Sequence, residues 1–189
     1  MLQRNNKFYS DAIEKFGVTP QGVHWKNHYS QLRRFEVITS FIENIQESSI
    51  VDAGCGFGDY YLYLHQSNKI PKKYIGLDCE KKMINLAKIH CEAPFFFQVN
   101  ILEDTLFEAD YYIASGTLNI LDIDEVELFI KRGYGYSKKG FIFNCLKGLT
   151  FNKISKVEII SICRNYCESS KIRILEGYLD NDFTLFMSK

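Results

Sequence analysis

The sequence predicts an α/β domain: a mostly parallel, doubly wound sheet with helices on both faces, finished by an antiparallel strand pair. Three observations carry that expectation. Short strand-like apolar runs alternate with helical periodicities along most of the chain, which implies parallel strands joined by crossover helices. One run, Ile50-Val51, breaks into glycines at 54, 56 and 58 ahead of the helix-prone Tyr60-Tyr61-Leu62-Tyr63-Leu64, a strand, turn and helix in succession. The last two runs, Lys171 to Leu175 and Phe183 to Met187, are too close in sequence for a crossover helix and are expected to pair antiparallel.

At 189 residues the chain suits one domain, able to bury about two-thirds of its unfolded surface. Residues 1–48 read as an N-terminal helical cover of the same domain and residues 49–189 as its core. The 23 Lys and Arg balance 23 Asp and Glu, so the whole chain carries no electrostatic footprint for a nucleic-acid backbone. Six cysteines lack C-x-x-C pairing, which points to reduced thiols and a cytoplasmic location. No metal site is expected, since His24 and His28 have no acidic or thiol companion and Cys163 and Cys167 no histidine. The N-terminus is polar and no apolar run approaches the length of a membrane span.

The elements follow in order. A short helix is expected over 8–16, then a turn through Pro20 and Gly22, then an amphipathic helix from Tyr29 to Ile45 with Leu32, Phe35, Ile38, Phe41, Ile42 and Ile45 on one stripe. Tyr74 to Asp78 reads as a second strand ending in an acid. The next helix places Met83, Leu86, Ala87, His90 and Cys91 inward and stops before Pro94. Phe95 to Val99 reads as a third strand covered on both faces, Asp110 to Ala114 as a fourth, and Phe141 to Cys145 as a fifth. Asp122-x-x-Glu125 and Ser155-x-x-Glu158 have the spacing of capping boxes, the first opening a helix with Val126, Phe129, Ile130 and Gly133 inward, the second a helix ending near Glu168.

The glycine turn narrows the chemistry. Glycine tolerates positive φ and lets a ligand approach backbone closely, while the following helix offers free N–H groups. A dinucleotide fingerprint would need a third glycine where Asp59 stands, and a phosphate loop would need a Lys and a Ser or Thr. Asp52 and Asp59 flank the turn instead, and two carboxylates oppose a pyrophosphate but suit a cationic ligand. Val51-Asp52-Ala53-Gly54-Cys55-Gly56-Phe57-Gly58 resembles motif I of the class I S-adenosylmethionine-dependent methyltransferases, and Asp78, twenty residues past Gly58, resembles the acid that accepts the ribose hydroxyls in that family.

The resemblance, from about residue 29 to the C-terminus, implies a Rossmann-like seven-stranded sheet and methyl transfer from S-adenosyl-L-methionine, with S-adenosyl-L-homocysteine as product. It implies cofactor contacts at Asp52, Gly54, Cys55, Gly56, Gly58, Asp78, Cys79, Asn100, Ile101 and Ser115. Asn100 stands where the family often has an Asp that accepts the adenine amino group, and its side-chain oxygen is expected to serve as that acceptor. His24, Trp25 and Tyr29, ahead of the first strand, are expected to close over the site, with Asn119 also on the acceptor side and Arg33-Arg34 offering charge to a carboxylate acceptor. A small-molecule acceptor is expected, from the single domain and the balanced charge. A protein or RNA acceptor, or a cofactor-binding subunit without turnover, are the alternatives. The oligomeric state and the acceptor atom do not follow from the residues.

Overall fold

The computed structural model describes residues 28–147 and 153–189. Over these, helix α1 spans His28–Ser40, strand β1 Ser49–Ala53, α2 Asp59–Gln66, β2 Lys73–Asp78, α3 Lys81–His90, β3 Phe96–Gln98 and β4 Ala109–Ser115. There follow α4 Ile123–Tyr136, β5 Ser137–Leu146, α5 Lys156–Arg164, β6 Ile172–Glu176 and β7 Asp182–Ser188. The expected helix over 8–16, its following turn and residues 148–152 lie outside the described residues.

The seven strands form one sheet in the order β3-β2-β1-β4-β5-β7-β6. The first five are parallel, while β7 runs antiparallel to both β5 and β6. Period-two alternation sends each central strand's side chains to two separate cores. Val51, Ala53, Ile75, Leu77, Tyr112, Ala114, Phe141 and Phe143 pack with Val126, Phe129, Ile130, Ile159 and Ile162 of α4 and α5. Ile50, Tyr74, Tyr111, Ile113 and Ile142 pack on the other face with Phe35 and Ile38 of α1, Tyr60 and Leu64 of α2, and Ile84 and Ala87 of α3. Helices therefore cover both faces, as the alternation of elements predicts.

Both capping boxes form: Asp122 accepts from Glu125 N–H and Ser155 from Glu158 N–H, each with the reciprocal bond. Val126, Phe129, Ile130 and Gly133 are the buried residues of α4. Four local expectations change. The helix expected from Tyr29 to Ile45 stops at Ser40, where Ser40 Oγ bonds the Val37 carbonyl and competes with the helical ladder; Asn44 then adopts left-handed φ of 47° and a 3-10 turn follows. β3 has three residues rather than five and is not covered on both faces, because it is the sheet's outer edge: Phe97 and Gln98 are exposed, and Phe97 lies 5.6 Å from Phe107. In α3 the buried stripe is Met83, Ile84 and Ala87, with Cys91 just beyond, while His90 is exposed, a rotation that the sheet contact selects from two stripes of equal period. α5 ends at Arg164, four residues early, in a turn that still buries Cys163 and Cys167.

Candidate active site

Strand order reverses between β1 and β4, so their carboxyl ends splay apart into a crevice, the place where open α/β sheets bind ligands. A cavity of about 550 Å³ occupies it. Its walls come from the turn after β1, the ends of β2 and β3, the segment after β4, α1, and the approach to β7.

The glycine turn is fixed by its neighbours. Gly54 N–H and Cys55 N–H both donate to the Leu77 carbonyl, at 2.7 and 2.9 Å. Gly54 has φ +84°, and a Cβ there would stand 2.2 Å from Thr117 Oγ1, so both conformation and space require glycine. Gly58, at φ +83°, precedes α2 and does not line the cavity: a Cβ there would meet Cys91 Sγ at 2.4 Å and Phe96 Cζ at 2.9 Å. It lets the helix pack onto the sheet from behind the crevice.

Asp78 closes β2 and faces the cavity, half-buried. Its Oδ2 accepts from Gly56 N–H at 3.1 Å and its Oδ1 from Glu80 N–H at 2.9 Å, so one carboxylate ties the glycine turn to the start of α3. Burial raises its pKa, and those two N–H bonds oppose the rise. Each oxygen keeps a lone pair.

Asp52 lies deeper, 2% exposed, on the same face of β1 as Ile50. The Tyr74 hydroxyl donates to its Oδ2 at 2.5 Å. Burial pushes the Asp52 carboxyl up to about 7, the Tyr74 bond lowers it, and the nearby Asp78 and Asp59 charges raise it further. Tyr74 is held well above the usual phenol range, first by burial.

α1 is pinned across the crevice. Gln31 Nε2 donates to Asp59 Oδ2 at 2.8 Å, Thr39 Oγ1 and the Tyr60 hydroxyl lie 3.0 Å apart, and Arg34 grips Asp182 with Nε to Oδ1 at 2.6 Å and Nη2 to Oδ2 at 2.8 Å. Arg34 is therefore engaged by the chain's own carboxylate, which removes the expectation that it offers charge to an acceptor; Arg33 is half-buried and pairs with Glu36.

Of the other expected site residues, Cys55, Cys79, Asn100, Ile101, Ser115, Asn119 and Tyr29 all line the cavity, Tyr29 at its mouth with 65% exposure. Asn119 Oδ1 accepts from Leu146 N–H at 3.0 Å and so also fastens the end of β5. Asn100 differs in detail: its Oδ1 accepts from its own chain, Leu102 N–H at 3.1 Å. His24 and Trp25 lie outside the described residues. Sequence reasoning missed Gln31, Thr117, Asn144 and Asp182. Asn144 Oδ1 accepts from Gly116 N–H, which shapes the turn after β4, yet in sequence it is one polar residue in an apolar strand.

A reversal in a parallel sheet, a glycine turn at that reversal and an acid closing the adjacent strand form the crevice in which open α/β sheets hold nucleoside ligands. The Methyltransferase domain family matches residues 50–140. A Mycobacterium tuberculosis (strain ATCC 25618 / H37Rv) protein, Rv1506c, assigned by name to the methyltransferases, is 29% identical over 163 residues, covering 75% of this chain and 93% of its own. The fold is similar to the crystal structure of magnesium protoporphyrin IX methyltransferase (ChlM) from Synechocystis PCC 6803 with bound SAM, at TM-score 0.67 and 15% identity over 85% of this chain and 81% of that one. It is also similar to PH0226 protein from Pyrococcus horikoshii OT3, at TM-score 0.70 and 14% identity over 93% and 99% of the two chains. Residues 50–140 thus match a methyltransferase domain, and the chain has the fold of S-adenosylmethionine-dependent methyltransferases. The cofactor bound in the Synechocystis PCC 6803 enzyme is S-adenosyl-L-methionine.

The residues present fit that cofactor. The turn excludes side chains where backbone must come close, Asp78 offers two acceptors, and Asp52 and Asp59 favour a cation. Among the described residues no group of three or more His, Cys, Asp or Glu is arranged to hold a metal, and no helix is long and apolar enough to cross a membrane.

Proposed function

We propose that the protein methylates a small-molecule acceptor in the cytoplasm. The observation that carries this reading is the extent of the cavity, which continues from Asp78 and Asn100 past the glycine turn to Asn119, Leu146 and the Leu179–Asp182 approach to β7. At about 550 Å³ it falls in the range of sites for small ligands, roughly 300–1,000 Å³. The balanced charge of the chain supports the same reading, since it offers no field for a nucleic-acid backbone.

In this reading Gly54, Cys55 and Gly56 lie against the methionine part of the cofactor, Asp52 beneath its positive charge, Asp78 on the ribose hydroxyls, Cys79, Asn100 and Ile101 along the base, and Ser115 beside the turn after β4. Gly58 contributes from behind by seating α2. When bound, S-adenosylmethionine supplies a methyl group on a sulfonium, already a good leaving group. The chain's task is then chiefly to hold the acceptor in line and exclude water. Tyr29 and Asn119 border the acceptor end. Residues 1–48 act as a cover, with His24 and Trp25 closing the mouth that Tyr29 begins.

Release of S-adenosylhomocysteine is to be measured on a panel of small amines, phenols and acids, beside RNA and protein extracts. Turnover on a member of the small-molecule panel is expected. Methylation confined to the RNA or protein fractions would overturn the reading. Trp25→Ala is expected to raise KM or lower kcat, and unchanged kinetics would remove the cover role.

A further inference from the structure

Charge in the cavity wall is one-sided. Asp52, Asp59, Asp78, Asp180 and Asp182 line it, while among the described residues neither a lysine nor a histidine does. Its arginine, Arg34, is engaged by Asp182 through bonds of 2.6 and 2.8 Å, so with Asp182 neutralised four carboxylates remain. The proposed cofactor answers only part of this, because its own carboxylate offsets its sulfonium and ammonium to leave one net positive charge. The excess stays negative even with a proton on Asp52, whose carboxyl burial lifts to about 7. It stays negative too with a charge on His90, which stands 3.5 Å from Asp59 Oδ1 without lining the cavity.

A buried hydrogen-bond acceptor points the same way. Gln31 is 2% exposed and lines the cavity from α1. Its Nε2 donates to Asp59 Oδ2 at 2.8 Å, and since an ionised carboxylate only accepts, that bond fixes which end of the amide is which. Its Oε1 takes no hydrogen bond among the described residues, yet it is not one of their closed-off polar atoms, so it opens on the cavity. Gln31 also stands one turn before Arg34 on α1, and Arg34 reaches Asp182 at the start of β7. The open oxygen thus lies between the start of α2 and the approach to β7, where Asn119 and the exposed Asp180 border the cavity. An acceptor oxygen among carboxylates suits an N–H that carries positive charge, and the same field opposes a carboxylate or phosphate.

We infer that the methyl acceptor is a small amine, admitted as its ammonium, with one N–H on Gln31 Oε1 and with Asp59 and Asp180 supplying the opposing charge. The inference rests on the small-molecule reading of the cavity and names the class of molecule that enters it. Before transfer the ammonium gives one proton to water at the mouth, where Asp180 is exposed. The nitrogen lone pair then bonds to the methyl carbon while the carbon–sulfur bond breaks and leaves its electron pair on sulfur. The products are a methylated ammonium ion and S-adenosylhomocysteine.

The test is calorimetric and needs no turnover. Three analogues of S-adenosylhomocysteine are compared in which nitrogen replaces sulfur and carries a 2-aminoethyl, a 2-hydroxyethyl or a carboxymethyl arm into the acceptor end. The aminoethyl form is expected to bind at least about tenfold more tightly than the carboxymethyl form, with the hydroxyethyl form between them. Asp180→Asn is expected to narrow that ratio, and Gln31→Leu to weaken the aminoethyl form by about tenfold beyond any change in S-adenosylhomocysteine affinity. The ratio in the natural protein decides even if a variant does not fold. A ratio below about tenfold, or reversed, overturns the inference while leaving the cofactor and the small-molecule reading standing. Turnover of phenols or acids but of no amine in the small-molecule panel does the same. Methylation confined to the RNA or protein fractions removes the small-molecule reading and the inference with it, and failure of S-adenosylhomocysteine and all three analogues to bind at millimolar concentration overturns the cofactor assignment as well.

Discussion

Replacing Asp52 by Asn separates the stability of the fold from its affinity for a cation. Asp52 is buried on β1, bonded by Tyr74, with its carboxyl raised from 3.8 to about 7. A raised acid binds its proton more tightly folded than unfolded. Its contribution is thus complete below about pH 4 and disappears as pH rises to about 7. A shift of roughly three units corresponds to about 4 kcal/mol lost by pH 8, of which about 1–2 kcal/mol is already lost at pH 5. An amide has no proton to lose and can still accept from Tyr74. The advantage of Asp52→Asn over the natural protein, measured by urea unfolding without ligand, is expected to grow by about 2–3 kcal/mol between pH 5 and pH 8. Cofactor affinity is expected to move oppositely: in the natural protein it rises with pH through 7 as the carboxylate forms, and in the variant it is weaker and flat at that carboxyl's titration. Parallel stability curves for the two proteins over this range would refute the argument.

Two other perturbations test the frame around the site. Gly54→Ala combines positive φ with a clash at Thr117 and is expected to destabilise by about 2–4 kcal/mol; adding Thr117→Ala removes the clash but not the backbone strain, so partial recovery in a thermal-melt cycle is the expected result and none would contradict it. Removing either partner of the buried Arg34–Asp182 pair is expected to cost about 3–5 kcal/mol, and the double change Arg34→Met with Asp182→Leu less than either single, by denaturant titration.

The parts legible in the sequence are those written over a few adjacent residues. Gly54-Cys55-Gly56-Phe57-Gly58 announces its turn because glycine is favoured at the positive φ found at 54, 56 and 58, and each capping box is complete within four positions. The antiparallel ending follows from the short link between its strands, but insertion of β7 between β5 and β6 does not, since both orders give the same local pattern. Arg34 gives no sign that its carboxylate lies 148 positions away. The sense of the Asn100 amide is set by a backbone N–H two residues on, a matter of loop geometry rather than residue type.

The placement of β7 has a consequence for how the molecule is made. Synthesis proceeds from the N-terminal side, so β5 emerges from the ribosome with one flank bare, and Arg34 without the Asp182 carboxylate, until Asp182–Ser188 arrive to fill the slot and supply it. β6 comes out earlier and has nothing to pair with until its partner follows. Closure of the sheet and the Arg34 clamp on α1 thus wait on the same seven residues, and a nascent chain stopped short of them lacks both at once.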